Sequence, residues 1–377
     1  MKESVGYGAR LYFFDYCKEG EDIIFPAINT NWLCSMNENG VVRIMAAIPK
    51  QEGIKIALYP GIFKSDDIIY LFPYNGNKKQ ILLYNLKLNE FGNIEIPNND
   101  QGLNSVYSAN VYECDECIYF VTLASEIYRI DKGDYAISCV FEPKDIEYTV
   151  VYTYQNNNSI FIAMQNTNKI MEYNIDSNKT ILHELEKRIK IEVFSRDEGH
   201  YYITMDNHLI IIDEKTNEII KDICIDVKMK PDDKFSEVRA KEVFDRILQV
   251  DDKCILFSTY EETIYVYDKN KKTIHSISID DEKETEESIC RKGRYSIRKY
   301  TCASYYDNHV YFQSFKRKCV YDLDVETWHY TSYYPVIDER DINKQILDQD
   351  WNNVVYESDM YYPFKSLFAA VGLKKNY

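Results

Sequence analysis

Cys114 and Cys117 form the only Cys-x-x-Cys of the chain and bracket Asp115 and Glu116. That spacing suits half of a structural zinc site or a redox dithiol, yet zinc needs two further ligands at comparable spacing and none follows. The pair also stands where other repeats carry the acidic turns Asp66-Asp67 and Asp251-Asp252, which favours a plain turn over metal or redox work. The histidines, His183, His200, His208, His275, His309 and His329, are scattered singly. His200 and His309 open equivalent strands, so repetition explains their likeness without a ligand. No metal and no cofactor is expected, since a metal site needs specific ligands in one place. Gly-rich phosphate loops, Gly-x-Ser-x-Gly and His-Glu-x-x-His are all absent. Paired carboxylates of the glycosidase kind carry no local signature and stay open as an alternative.

Charge offers a second kind of chemistry. The chain carries a formal charge of -16, which argues against nucleic acid and anionic membrane as partners. Against that background Arg291, Lys292, Arg294, Arg298, Lys299 and Lys316-Arg317-Lys318 gather within two short stretches, with Tyr295 and Phe315 beside them. Arginine presents a planar fork suited to carboxylate or phosphate, and flanking rings can hold a sugar or base face. The candidate binding residues are therefore Arg291, Arg294, Tyr295, Arg298, Phe315, Lys316 and Arg317. The structural alternative is a solvated loop that balances Asp280, Asp281, Glu282, Glu284, Glu286 and Glu287 next door.

A repeated unit must position these groups. β-branched and aromatic runs open after acidic or Asn-rich turns at Asp22, Asp67, Cys117, Ser159, His200, Lys253 and His309. Those starts lie roughly 41 to 56 residues apart, a period that fits four-stranded propeller blades. Most runs are followed by a residue pair with six residues between its members: Tyr84 and Phe91, Tyr128 and Tyr135, Tyr173 and Thr180, Ile212 and Ile219, Tyr267 and Ile274, Tyr321 and Trp328. The first copy has a shorter turn at Asn37 to Gly40. Aromatics make up 14% of the chain, 34 of them Tyr, which suits half-buried pleated surfaces.

The Tyr321 and Trp328 pair resembles the second half of a kelch repeat, and the other copies keep an aromatic or aliphatic residue in place of Trp. The kelch double glycine is absent, with Gln313-Ser314-Phe315 standing there in the seventh copy. As an architecture the chain is similar to degenerate kelch-like propellers of bacteria. That resemblance implies a seven-bladed propeller that binds something.

The expected fold is thus all-β, a seven-bladed β-propeller over residues 1–335, with four-stranded blades near 8–48, 54–97, 105–143, 146–187, 188–226, 242–279 and 296–335. The first strand is expected at Ala9 to Tyr16. Residues 336–377 should form a strap, with an edge strand at Val354 to Tyr356 and a short helix from Pro363 to Leu373. Insertions at Lys228 to Lys241 and Asp280 to Ser296 join an outer strand to the next inner strand, and so emerge on the face of the turns between second and third strands. The basic residues should share that loop-rich face, with His200 and His309 on the opposite one. The start lacks the apolar core of an export signal and no window reaches a membrane span, so a cytoplasmic monomer with reduced thiols is expected. The functional expectation is a non-catalytic binding or adaptor module for a protein, an acidic glycan or a nucleotide-sugar. The alternative is a carbohydrate-active enzyme (lyase, hydrolase or epimerase) at the channel mouth.

Overall fold

A strand buried on both faces reads as a continuous apolar run, whereas a strand with one wet face alternates. Both kinds recur here in a fixed order. The second strand of the fourth repeat, Ser159–Met164, is buried throughout, its third strand Lys169–Asn174 mostly so, and its fourth, Lys179–Glu184, is largely exposed. The computed structural model of the protein describes residues 13, 15–27, 32–49, 59–73, 80–96, 106, 110–122, 124–143, 151–156, 158–227, 243–259, 263–279, 300–314, 319–333 and 335–337. They form seven antiparallel sheets whose four strands follow chain order from the inside outwards.

The blades span 17–47, 61–95, 111–141, 151–184, 193–224, 244–278 and 300–333. Seven apolar clusters lie between consecutive blades. The cluster around Phe13, Tyr16, Phe25 and Trp32 of blade 1 takes in Val320 and is flanked by Tyr306, Tyr311 and Tyr333 of blade 7. Seven seams for seven blades make a closed ring, so the chain is a seven-bladed β-propeller. Among the described residues there is no α-helix, and so none long and apolar enough to cross a membrane.

The first described strand is Cys17–Glu19. Of the strand expected at Ala9 to Tyr16 only Phe13, Asp15 and Tyr16 are described, and these three are in no strand. The Asp15 carboxylate accepts the backbone N–H of Tyr16 and, across the seam, that of Ile62. The ring is then tied by Val336–Ile337, which adds in parallel to the outer strand of blade 1, with Val336 opposite Val41 and Ile337 opposite Val42. An edge strand is expected at Val354 to Tyr356. Those residues and the helix expected from Pro363 lie outside the described residues.

The turns between third and fourth strands explain the spaced pairs. In six blades the third strand ends in Asn85, Asp131, Asn174, Asp213, Asp268 or Asp324, whose side-chain oxygen accepts backbone N–H groups two or three residues on. Four residues after it stands a residue with positive φ: Asn89, Tyr135, Asn178, Asn217, Lys272 and Trp328. The residues flanking this turn face each other seven positions apart, as Tyr84 to Phe91, Ile130 to Ile137, Tyr173 to Thr180, Ile212 to Ile219, Tyr267 to Ile274 and Leu323 to Tyr330. In blades 3 and 7 the pairs read from sequence, Tyr128 with Tyr135 and Tyr321 with Trp328, therefore begin two residues early. Trp328 is the counterpart of Asn89 and Asn178, and its ring meets His275 of blade 6 at 5.4 Å on the rim of the seam.

Candidate functional site

In all seven blades the described residues include the lower rim, where each inner strand turns into the second strand. Adjacent inner strands leave side chains pointing sideways into the seams, and the last residue but one before each hairpin points back toward the preceding blade. Lys64 pairs with Glu19 at 2.8 Å, and Ser65 donates to Glu113 at 2.5 Å, where Lys132 also lies at 2.5 Å. Gln155 Nε2 donates to Cys114 Sγ at 3.7 Å, and the Tyr305 hydroxyl to Asp251 at 3.3 Å. Arg196 lies 4.7 Å over the Phe161 ring, and Lys18 4.6 Å over Tyr311. Gln249 is the exception, its amide making no hydrogen bond to blade 5. Burial pushes the Glu113 carboxyl up, but Lys132 and Ser65 outweigh it and hold the group below its ordinary value. Six contacts of one kind around a ring are a belt of latches.

Two of these seams carry more. Within blade 5, beside its seam with blade 4, Arg196 makes a two-pronged contact with Glu214, at 3.1 Å from Nε and 2.6 Å from Nη2. Between blades 7 and 1, His309 Nδ1 lies 2.6 Å from Asp322, and the imidazole stacks on Tyr311 with centroids 6.1 Å apart. Burial pushes the Tyr311 phenol up to about 12, with Asp322 and Asp307 adding to it. A His–carboxylate contact is a recurring device here, as in His183 with Glu172 at 3.0 Å and His208 with Asp222 at 2.7 Å. Each such pair lies within one blade and can orient an imidazole. Among the described residues none brings a third ligand that would hold a metal.

Arg291, Arg294, Tyr295, Arg298, Phe315, Lys316 and Arg317 lie outside the described residues. The backbone that brackets their segments is described: Tyr300 pairs with Ser314, and Ser314 with Cys319, so three of the bracketing residues meet at one end of blade 7. His200 and His309 open the second strands of blades 5 and 7, as expected from the repeat. Sequence reasoning missed the latch belt. Its signal is a polar residue two positions before each first hairpin turn: Lys18, Lys64, Glu113, Gln155, Arg196, Gln249 and Tyr305.

No protein-family model matches the chain, and no curated protein matches its sequence. Solved structures do share its shape. Sqt1 of Saccharomyces cerevisiae matches with a TM-score of 0.57 at 9% identity, over 88% of this chain and 86% of that one. A catalytically inactive variant of the virginiamycin B lyase of Staphylococcus aureus, solved with quinupristin, matches with 0.54 at 12%, over 84% and 95%. The computationally designed Ika8 protein matches with 0.51 at 9%, over 87% and 97%. At such identities the likeness is one of fold alone.

Proposed function

We propose that the chain is a non-catalytic binding or adaptor propeller whose loop-rich face holds an acidic ligand or protein segment. The observation that supports this most directly is the division of labour between the two faces. On the described rim the polar side chains, Gln249 apart, are engaged in holding blades together, and each described imidazole–carboxylate pair stays within its own blade. By strand order the opposite face is the one to which the long connections belong, and with them the basic residues between Arg291 and Lys318, eight cations on a chain of charge -16. A local positive field on an acidic protein focuses anionic ligands. The degenerate kelch-like reading of the repeats now leans on the residue pairs seven apart, with Leu323 and Tyr330 as the blade 7 copy. We take the protein to act as a monomer in the cytoplasm.

The test is a binding screen of acidic oligosaccharides, nucleotide-sugars and acidic peptides against the wild type and the double variant Arg294→Glu, Arg317→Glu. Binding should weaken with salt and vanish in the double variant. Equal binding by both proteins would return the cations to a solvated loop, and turnover of a glycan in the same screen would favour the carbohydrate-active alternative.

A further inference from the structure

We propose that Cys114 and Cys117 are a reversible dithiol–disulfide site, oxidised by low-molecular-weight disulfides, at the seam between blades 3 and 4. The two residues close the first hairpin of blade 3. Glu113 pairs with Ile118, and the Cys114 N–H donates to the Cys117 carbonyl at 2.8 Å, so the cysteines face each other across Asp115 and Glu116. Residues opposed in this way project to the same side of the sheet, with Cα atoms about 5.5 Å apart. That falls within the roughly 4.4 to 6.8 Å spanned by disulfides.

Their surroundings divide the labour of exchange. Cys114 is partly exposed and Cys117 buried, so an incoming disulfide meets Cys114 first. Cys117 is the first of the groups that raise the Arg129 guanidinium above its ordinary value, which puts positive charge beside that sulfur. Gln155 holds Cys114 from the neighbouring blade. The chain's other described thiols lack this arrangement. Cys254 is sealed in a seam, where burial pushes its thiol up to about 12, and burial likewise raises Cys17. Cys139 and Cys224 stand singly on the outer strands of different blades.

The chemistry balances without a metal. The deprotonated Cys114 sulfur attacks one sulfur of the small disulfide, whose S–S bond breaks, releasing one small thiol and leaving a mixed disulfide on Cys114. The Cys117 sulfur then attacks Cys114 Sγ and expels the second small thiol. The protein loses two protons and two electrons, and the small disulfide gains them as two thiols. Burial, with Cys117 adding to it, raises the Cys114 thiol above its ordinary value, so the first step should quicken as pH rises. One sulfur of the bridge is partly exposed, and exposed disulfides are the readily reduced ones.

The full chain should be equilibrated in glutathione buffers stepped from fully reduced to fully oxidised, alkylated, and mapped by mass spectrometry. In the wild type, two alkylated thiols should be lost together on the peptide carrying Cys114 and Cys117, and return with reduced glutathione. Cys117→Ser should stop at a glutathione adduct on Cys114, and Cys114→Ser should show no transition in that peptide, both retaining wild-type circular dichroism. Persistence of both thiols at every ratio, or a disulfide mapped to another pair, overturns the proposal. Equimolar zinc that protects both thiols by joining two copies of the chain would overturn it too, since the pair would then be half of a metal site.

Discussion

The seam between blades 4 and 5 and the seam between blades 7 and 1 each set a cation over an aromatic ring, at 4.7 Å for Arg196 on Phe161 and 4.6 Å for Lys18 on Tyr311. They use it differently. Arg196 is also clamped on Glu214, and both side chains are mostly buried, at 14% and 18% exposure. Among the described residues Lys18 donates to the Glu21 carbonyl, and Asp322, opposite Tyr311 in the ladder, is taken by His309. Where the chain runs continuously from blade to blade, an ion pair inside blade 5 holds the guanidinium that covers the ring of blade 4. Where its two ends meet, Tyr16 and the added strand carry the closure, and the cation merely covers a ring. The outer turns of the flanking blades differ as well: blade 4 uses Asn174 and Asn178, and blade 7 uses Asp324 and Trp328 for the same backbone path.

If that contrast is right, Glu214→Ala has the largest effect, because it leaves a mostly buried guanidinium without its acid. A loss of about 2 to 4 kcal/mol is expected, below the full cost of a deeply buried pair because some exposure remains. Lys18→Met should cost under about 1 kcal/mol, the range of an exposed cation on a ring. Urea melts of the two variants measure both, and equal losses would erase the distinction between the seams.

At the closing seam the Tyr16 hydroxyl donates to the Tyr311 carbonyl at 2.7 Å, joining residues 295 positions apart. Tyr16→Phe keeps the ring and removes the bond, for a loss of about 1 kcal/mol. A smaller loss in the melt would leave closure to the apolar cluster and the parallel strand.

The turns sharpen the comparison through pH. Backbone N–H groups of the turn hold Asp213, Asp268 and Asp324 below the ordinary carboxylate range. A folded-state value below the unfolded one gives stability that is present above the unfolded value and lost as pH falls through the folded one. Blades 5, 6 and 7 should therefore loosen in acid before blades 2 and 4, whose turns use Asn85 and Asn174. Hydrogen exchange at neutral and at acid pH reads this blade by blade, and Asp324→Asn should flatten the response of blade 7.

The smallest change in stability is expected for Trp328→Asn. A left-handed residue other than Gly or Asn costs roughly 1 to 2 kcal/mol, which offsets the packing lost with the ring. The readout is His275, whose imidazole burial holds below its ordinary value. Its NMR titration should move upward once the Trp328 ring is gone, with the melting temperature close to that of the wild type.

Much of this fold is legible in the chain because second and third strands are sandwiched between neighbours and so read as unbroken apolar runs, as in Ser159–Met164. Seven of them at blade spacing leave little choice of architecture. Register is harder to read in blades 3 and 7. A slip of two residues keeps every side chain on its own face of the sheet, so Tyr128 and Tyr321 satisfy the pattern as well as Ile130 and Leu323 do. Only backbone φ and pairing separate them. The latch belt is hidden for another reason. All of the seven but Gln249 meet a partner on the preceding blade, as Gln155 meets Cys114, and nothing local marks a residue whose partner lies a whole repeat away.

The two-residue parallel strand Val336–Ile337 also sets an order of events during synthesis. Blade 1 is the first to leave the ribosome, yet the outer edge at Val41 and Val42 gains its partner only after all seven blades have been made. Until then blade 1 keeps an open outer edge, like those of the other six described sheets, on a ring whose last contacts are its most distant in sequence, and such contacts form slowly. An unpaired edge on a nascent chain is a template for pairing with another molecule. Blade 1 alone is then covered by a late strand, and chain breaks or stalls shortly before Val336 should aggregate more readily than the finished ring.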